Sequence, residues 1–165
     1  MKLSTKALAP VMLLAVCSYA GSAAAQQSFS ALVCRAGTIT GIAKAQDLVV
    51  FGIDQRGIIL ADDAAKTFDN NTQRCIGSIA VIRGKSSGGG FCRSVDPASG
   101  DTTISEWTSA EKPGTGTFKY LSGTGKWKGI TGGGDYHTAA VTRPIDEGTY
   151  QNCVRVKGML SVPKL

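Results

Sequence analysis

From Gln26 onward the chain breaks into short apolar or alternating runs separated by clusters of Gly, Asp, Asn and Pro. Alternation with a period of two puts successive side chains on opposite faces of a strand, so these runs read as strands. They are Phe29 to Arg35, Leu48 to Asp54, Ile58 to Ala61, Ile76 to Arg83, Gly90 to Val95, Thr102 to Trp107, Thr117 to Ser122, Tyr136 to Thr142 and Cys153 to Val162. In the last run Val154, Val156, Leu160 and Val162 share one face while Arg155 and Lys157 take the other, the pattern of a half-buried strand. Close spacing of short strands, with no long amphipathic helix, predicts an all-β sandwich or barrel. One helical turn is expected over Asp62 to Phe68, with Asp62 or Asp63 as N-cap before Ala64, Ala65 and Lys66. Ser86 to Gly90 reads as a flexible hairpin loop, and Asp96 to Asp101 as a turn rich in side-chain caps.

The densest punctuation lies between Gly114 and Tyr136, where glycines interrupt aromatic and β-branched pieces. Gly123, Gly125, Gly129 and Gly132 are read as structural glycines that supply turns, bulges and a corner.

Ahead of the strands, Lys2 and Lys6 precede the apolar stretch Ala7 to Val16, and Ala23-Ala24-Ala25 follows as a small-residue cleavage signal. Residues 1 to 25 are therefore expected to be a removed signal peptide, with a single β-barrel domain over 26 to 165 in the periplasm or outside the cell. A lipoprotein reading at Cys17 is disfavoured, because Val16 stands where a lipobox wants a small residue. Without Lys2 and Lys6 the 18 basic residues fall to 16 against 12 acidic ones, about +4. That mild balance, with no basic run longer than Lys126-Trp127-Lys128, argues against nucleic acid as a partner. The remaining ~140 residues suit one domain, and no later stretch reads as a membrane span.

Removal of the leader also removes Cys17 and leaves Cys34, Cys75, Cys92 and Cys153, an even set suited to disulfides in an oxidising compartment. No metal site is expected, since there is no Cys-x-x-Cys and His137 is the sole histidine. Of three connectivities, Cys75–Cys92 is favoured because their runs suit one hairpin, and Cys34–Cys153 then follows, joining the first and last strands of a closed barrel. Alternation speaks against the second pair: it places Cys153 with Arg155 and Lys157 but Cys34 with Leu32.

The segment Gly123-Thr-Gly-Lys-Trp-Lys-Gly-Ile-Thr-Gly-Gly-Gly134 resembles the G-G-T-G-[KR]-[FY]-x-G-[AI]-x-G stretch of dirigent proteins and of allene-oxide-cyclase-like barrels. It is similar too to a group of small exported bacterial proteins, in which a Cys-x-Gly (here Cys75-Ile76-Gly77) precedes a Gly-[FY]-Cys (here Gly90-Phe91-Cys92) and an acidic turn (here Asp96 to Asp101). The resemblance spans Cys75 to Tyr136 and departs from the pattern at Ser122, where glycine is usual, and at the bulkier Trp127. It implies an eight-stranded antiparallel barrel of the calycin type, often with a ligand-sized cavity, and speaks to fold far more than to chemistry. No residue of this chain matches the plant enzymes' catalytic carboxylate.

Candidate chemistry is sparse. A phosphate-loop reading of the glycine corner fails because Lys126 is followed by Trp127 and position 120 is Tyr120; a dinucleotide reading fails at Lys128, and no cofactor is expected. His137 with Asp135 on the same strand face is a conceivable acid/base pair, against the commoner reading of an exposed rim histidine. Glu106 beside Trp107 would be a desolvated acid only if it faced the interior; with Trp107 in the core, Glu106 lies outside. Calcium binding at Asp96 to Asp101 is opposed by Pro97 and by the missing downstream glutamate. Asn70-Asn71-Thr72 matches a glycosylation sequon that a bacterial-type leader makes irrelevant. The functional expectation is a non-catalytic exported barrel that binds a small, partly apolar ligand or a partner, with oligomerisation left open. The alternatives are an allene-oxide-cyclase-like isomerase or cyclase and a secreted interaction or inhibitor module.

Overall fold

The computed structural model describes residues 26 to 163, so the expected leader over residues 1 to 25 lies outside the described residues. Eight strands follow one another: β1 (Gln26–Ala45), β2 (Leu48–Ala61), β3 (Thr72–Ile82), β4 (Lys85–Val95), β5 (Thr102–Ser109), β6 (Thr115–Gly123), β7 (Thr131–Val141) and β8 (Thr149–Ser161). Each pairs antiparallel with the next, and β8 returns to pair with β1, closing an up-and-down barrel. Closure satisfies both edges of the sheet, which an open meander would leave unpaired.

Three details differ from the sequence reading. The runs at Leu48 and Ile58 are one strand, β2, because Gln55 turns inward at 3 % exposure while Arg56 faces out, so the polar stretch between them keeps the alternation. The β3–β4 turn is Arg83-Gly84, both at positive φ (49° and 77°), a conformation matched to the twist of a two-residue hairpin. Ser86 to Gly90 therefore belong to β4. The glycine there has a packing role: a Cβ on its cross-strand partner Gly77 would lie 2.5 Å from the Trp107 ring, so the indole rests on bare backbone. Finally, Asp62 to Phe68 form no helix. The Asp63 carboxylate accepts from the Ser30 and Thr67 amides, and Lys66, Phe68 and Asn70 all adopt positive φ (53°, 63° and 60°).

Both disulfides form as expected. Cys34 and Cys153 are direct partners across β1 and β8 with Cα atoms 4.0 Å apart, and Cys75 and Cys92 are partners across β3 and β4 at 4.1 Å. The first lies on the outer face and the second is buried inside. The apparent mismatch of faces dissolves because Leu32 is itself an outer, half-buried residue, while Phe29, Ala31 and Val33 point inward. By loop-closure entropy, the bridge across 17 residues contributes roughly 3 kcal/mol and the one across 119 residues roughly 5 kcal/mol.

Candidate functional site

A cavity of about 280 Å³ occupies the barrel interior, lined by inward residues of all eight strands. One end is sealed. There the β2–β3 connection folds Phe68 into the barrel, where its ring packs edge-on against Phe29 at 5.6 Å and lies 5.5 Å from Tyr120 and 4.5 Å from Trp127. Ile130, Leu160 and Val154 complete this floor. Burial among these rings pushes the Tyr120 hydroxyl well above tyrosine's usual pKa.

Polar groups hold the floor. Asp63 accepts from the Thr67 hydroxyl, Gln27 Nε2 donates to the same hydroxyl at 2.7 Å, and Asp69 Oδ1 accepts the Ala61 amide at 2.8 Å. Beside it the glycine corner carries the 3-10 turn Gly125–Trp127. Gly125, Gly129 and Gly132 adopt positive φ of 50°, 76° and 105°, and at Gly123 a Cβ would lie 2.4 Å from the Trp127 carbonyl oxygen. At each of these four positions a side chain would meet either a positive φ or close backbone. Lys126 does not point into solvent as a lone charge: its ammonium donates to the buried Asp96, and its amide donates to Asp101 Oδ2 at 3.1 Å. The Lys126 hydrogen bond, followed by those from Ala98 and Ser99, holds the Asp96 carboxyl below the usual carboxylate range. The acidic turn is thus a side-chain-capped turn that anchors the corner.

The opposite end is a mouth. Ile39, Phe51, Val81 and Tyr150 line the cavity there, and Pro113 and Gly114, which also line it, are exposed at the surface. Between floor and mouth lies a polar layer of Gln55, Gln73, Ser94, Thr103, Ser105, Asn152 and Arg35. Gln73 Nε2 donates to Ser94 Oγ at 3.1 Å. Arg35 Nη1 donates to Cys75 Sγ at 3.4 Å, but Arg35 Nε has no protein partner. The guanidinium keeps some accessible surface because it borders the cavity, while protein surrounds it on nearly every side. That desolvation pulls its pKa below arginine's usual value, opposed by the nearby Tyr136 and Tyr150.

The candidates for acid/base chemistry fall elsewhere. Asp135 and His137 project outward from β7, opposite Lys157 and Arg155 of β8, while Tyr136 between them and Thr138 just beyond line the cavity. Glu106 faces outward from β5 and pairs with Lys119 at 2.8 Å, and its neighbour Trp107 is buried inside at 7 % exposure. None of the three carboxylate or imidazole groups reaches the lumen. Arg35 was missed, although its signal was present: alternation from Phe29 through Val33 places it on the apolar face of β1. On the outer wall a shallower groove runs between Ile76 and Phe91, exposed at 49 % and 50 %, and a cross-strand row of Arg56, Arg74 and Arg93.

Among solved structures, the pterocarpan synthase dirigent protein GePTS1 superposes with a TM-score of 0.52 at 10 % identity, over 94 % of this chain and all of its own. The fold is a dirigent-like barrel. A second pterocarpan synthase dirigent protein, PsPTS1, agrees at a TM-score of 0.50 and 10 % identity, covering 87 % of this chain and 98 % of its own. No protein-family model matches the sequence, and no curated protein does. At this identity the likeness carries the dirigent-like fold and leaves chemistry to the residues of this chain.

Proposed function

We propose that this dirigent-like barrel is an exported binding protein that holds a small, partly apolar molecule in its lumen without transforming it. The observation that carries the reading is the shape and lining of the cavity: sealed by Phe68 at one end, reaching the surface at Pro113 and Gly114, and walled chiefly by aliphatic and aromatic side chains with a few polar anchors. Ligand sites have this character, and about 280 Å³ stands at the small end of their usual range. Two disulfides suit an oxidising compartment, the periplasm or the extracellular medium. The placement of Asp135, His137 and Glu106 on the outer wall favours binding over an isomerase or cyclase working inside the barrel.

Native mass spectrometry of protein purified from its source tests this. The expected result is a co-purified molecule of a few hundred daltons, lost in Thr138→Trp, which would place an indole in the cavity near the mouth. Protein that carries no such molecule, and whose Trp107 fluorescence is unmoved by apolar probes, would overturn it.

A further inference from the structure

We propose that the lumen selects a ligand bearing a single anionic group, a carboxylate on a small apolar body, and that Arg35 is the residue that recognises it. The inference deepens the lumen-binding reading above and rests on it. Arg35 lies midway along the inner face of β1, between the apolar floor of Phe29, Ala31 and Val33 and the mouth at Ile39. None of the described residues that line the cavity is an aspartate or glutamate, so the guanidinium is the lumen's one formal charge. Among the described residues its one side-chain hydrogen bond goes to the Cys75 sulfur, a weak acceptor, and Nε is unpartnered.

Burying an arginine without a counter-charge is costly, and globular interiors pair such groups with carboxylates or fill their hydrogen bonds. The planar fork of donors suits a carboxylate held by two bonds. Beside it, Asn152 is the direct cross-strand partner of Arg35 on β8, and its buried Oδ1 also lacks a partner. A hydroxyl or N–H next to the ligand's carboxylate would satisfy it. Burial strengthens the case: desolvation already disfavours the charged guanidinium, and an anion at Arg35 would relieve that penalty. The apolar body of such a ligand would lie among Phe29, Phe118, Trp107 and Val156.

The test compares matched probes by calorimetric titration and Trp107 fluorescence: octanoate against octanamide, and trans-cinnamate against cinnamamide. The parent is expected to bind each acid about tenfold or more tightly than its amide, the size of one charge-assisted contact made out of water. In Arg35→Gln the acid's advantage should vanish while amide binding persists. Arg35→Met supplies an independent reading: removal of the uncompensated charge should raise the melting temperature of the unliganded protein. Equal affinity for acid and amide in the parent, or an acid preference that survives in Arg35→Gln, would overturn the anion site while leaving lumen binding intact. Failure of all four probes to bind would overturn both readings.

Discussion

The two ends of the barrel are built on opposite plans. The floor spends three positive-φ residues, a buried aromatic plug and a dense set of side-chain-to-backbone hydrogen bonds on closing a hole. At the mouth the connections are turns and short loops, and apolar side chains stand open to solvent: Ile42 is 62 % exposed, Val141 61 % and Ile145 84 %. The buried aromatic plug at one end and the exposed apolar side chains at the other distinguish a closed floor from an open rim.

The contrast makes unequal demands on substitutions. Phe68→Ala removes the plug and should cost about 3 to 5 kcal/mol in denaturant unfolding, the range for deleting a buried aromatic ring. A loss under about 1 kcal/mol would mean the floor is not the stable end. Next in size, Gly132→Ala should cost about 2 kcal/mol or more, because its φ of 105° strains any L side chain and the new Cβ would lie 2.2 Å from the Met159 carbonyl oxygen.

The Lys126–Asp96 contact predicts a pH signature. Asp96 has a folded-state pKa below its unfolded value, so its contribution is fully present above the unfolded carboxylate range near pH 4 and is lost as pH falls through the lower folded value. Lys126→Ala should therefore lower the urea midpoint at pH 7. The difference from the parent should shrink as pH falls through the lowered folded-state value, where Asp96 becomes protonated in the parent as well. An undiminished difference in acid would show that Lys126 acts through something other than Asp96. At the rim, Ile145→Ser should stay within about 0.5 kcal/mol of neutral, as an exposed loop substitution does; a larger loss would erase the contrast between the ends.

Much of the wall was legible in the sequence, because alternation is a local signal. Val154, Val156 and Leu160 faced inward as their period of two required, and register made the two cysteine pairs direct neighbours. The floor was not legible. Its residues carry helix-like composition at Ala64, Ala65 and Lys66, and local propensity was overridden by Phe68 turning into the barrel and by Asp63 binding Ser30, 33 residues away. The site was half legible: Trp107 inside and Glu106 outside followed from alternation, whereas the pairing of Arg35 with Asn152 needed the closure of β1 onto β8. The partner of Lys126 was hidden for the same reason, since Asp96 lies 30 residues away.

The barrel's isoleucines make the most direct test of the central claim. Ile39, Ile53 and Ile79 line the lumen, while Ile42, Ile76 and Ile82 stand on the outer surface at 62, 49 and 50 % exposure. In protein with ¹³C-labelled isoleucine methyls, titrated with octanoate and octanamide, intermolecular nuclear Overhauser effects should join probe protons to the inner methyls, foremost Ile53 and Ile79, which pack beside Trp107. Effects confined to Ile76 and its neighbours in the outer groove, with the inner methyls unperturbed, would contradict the account.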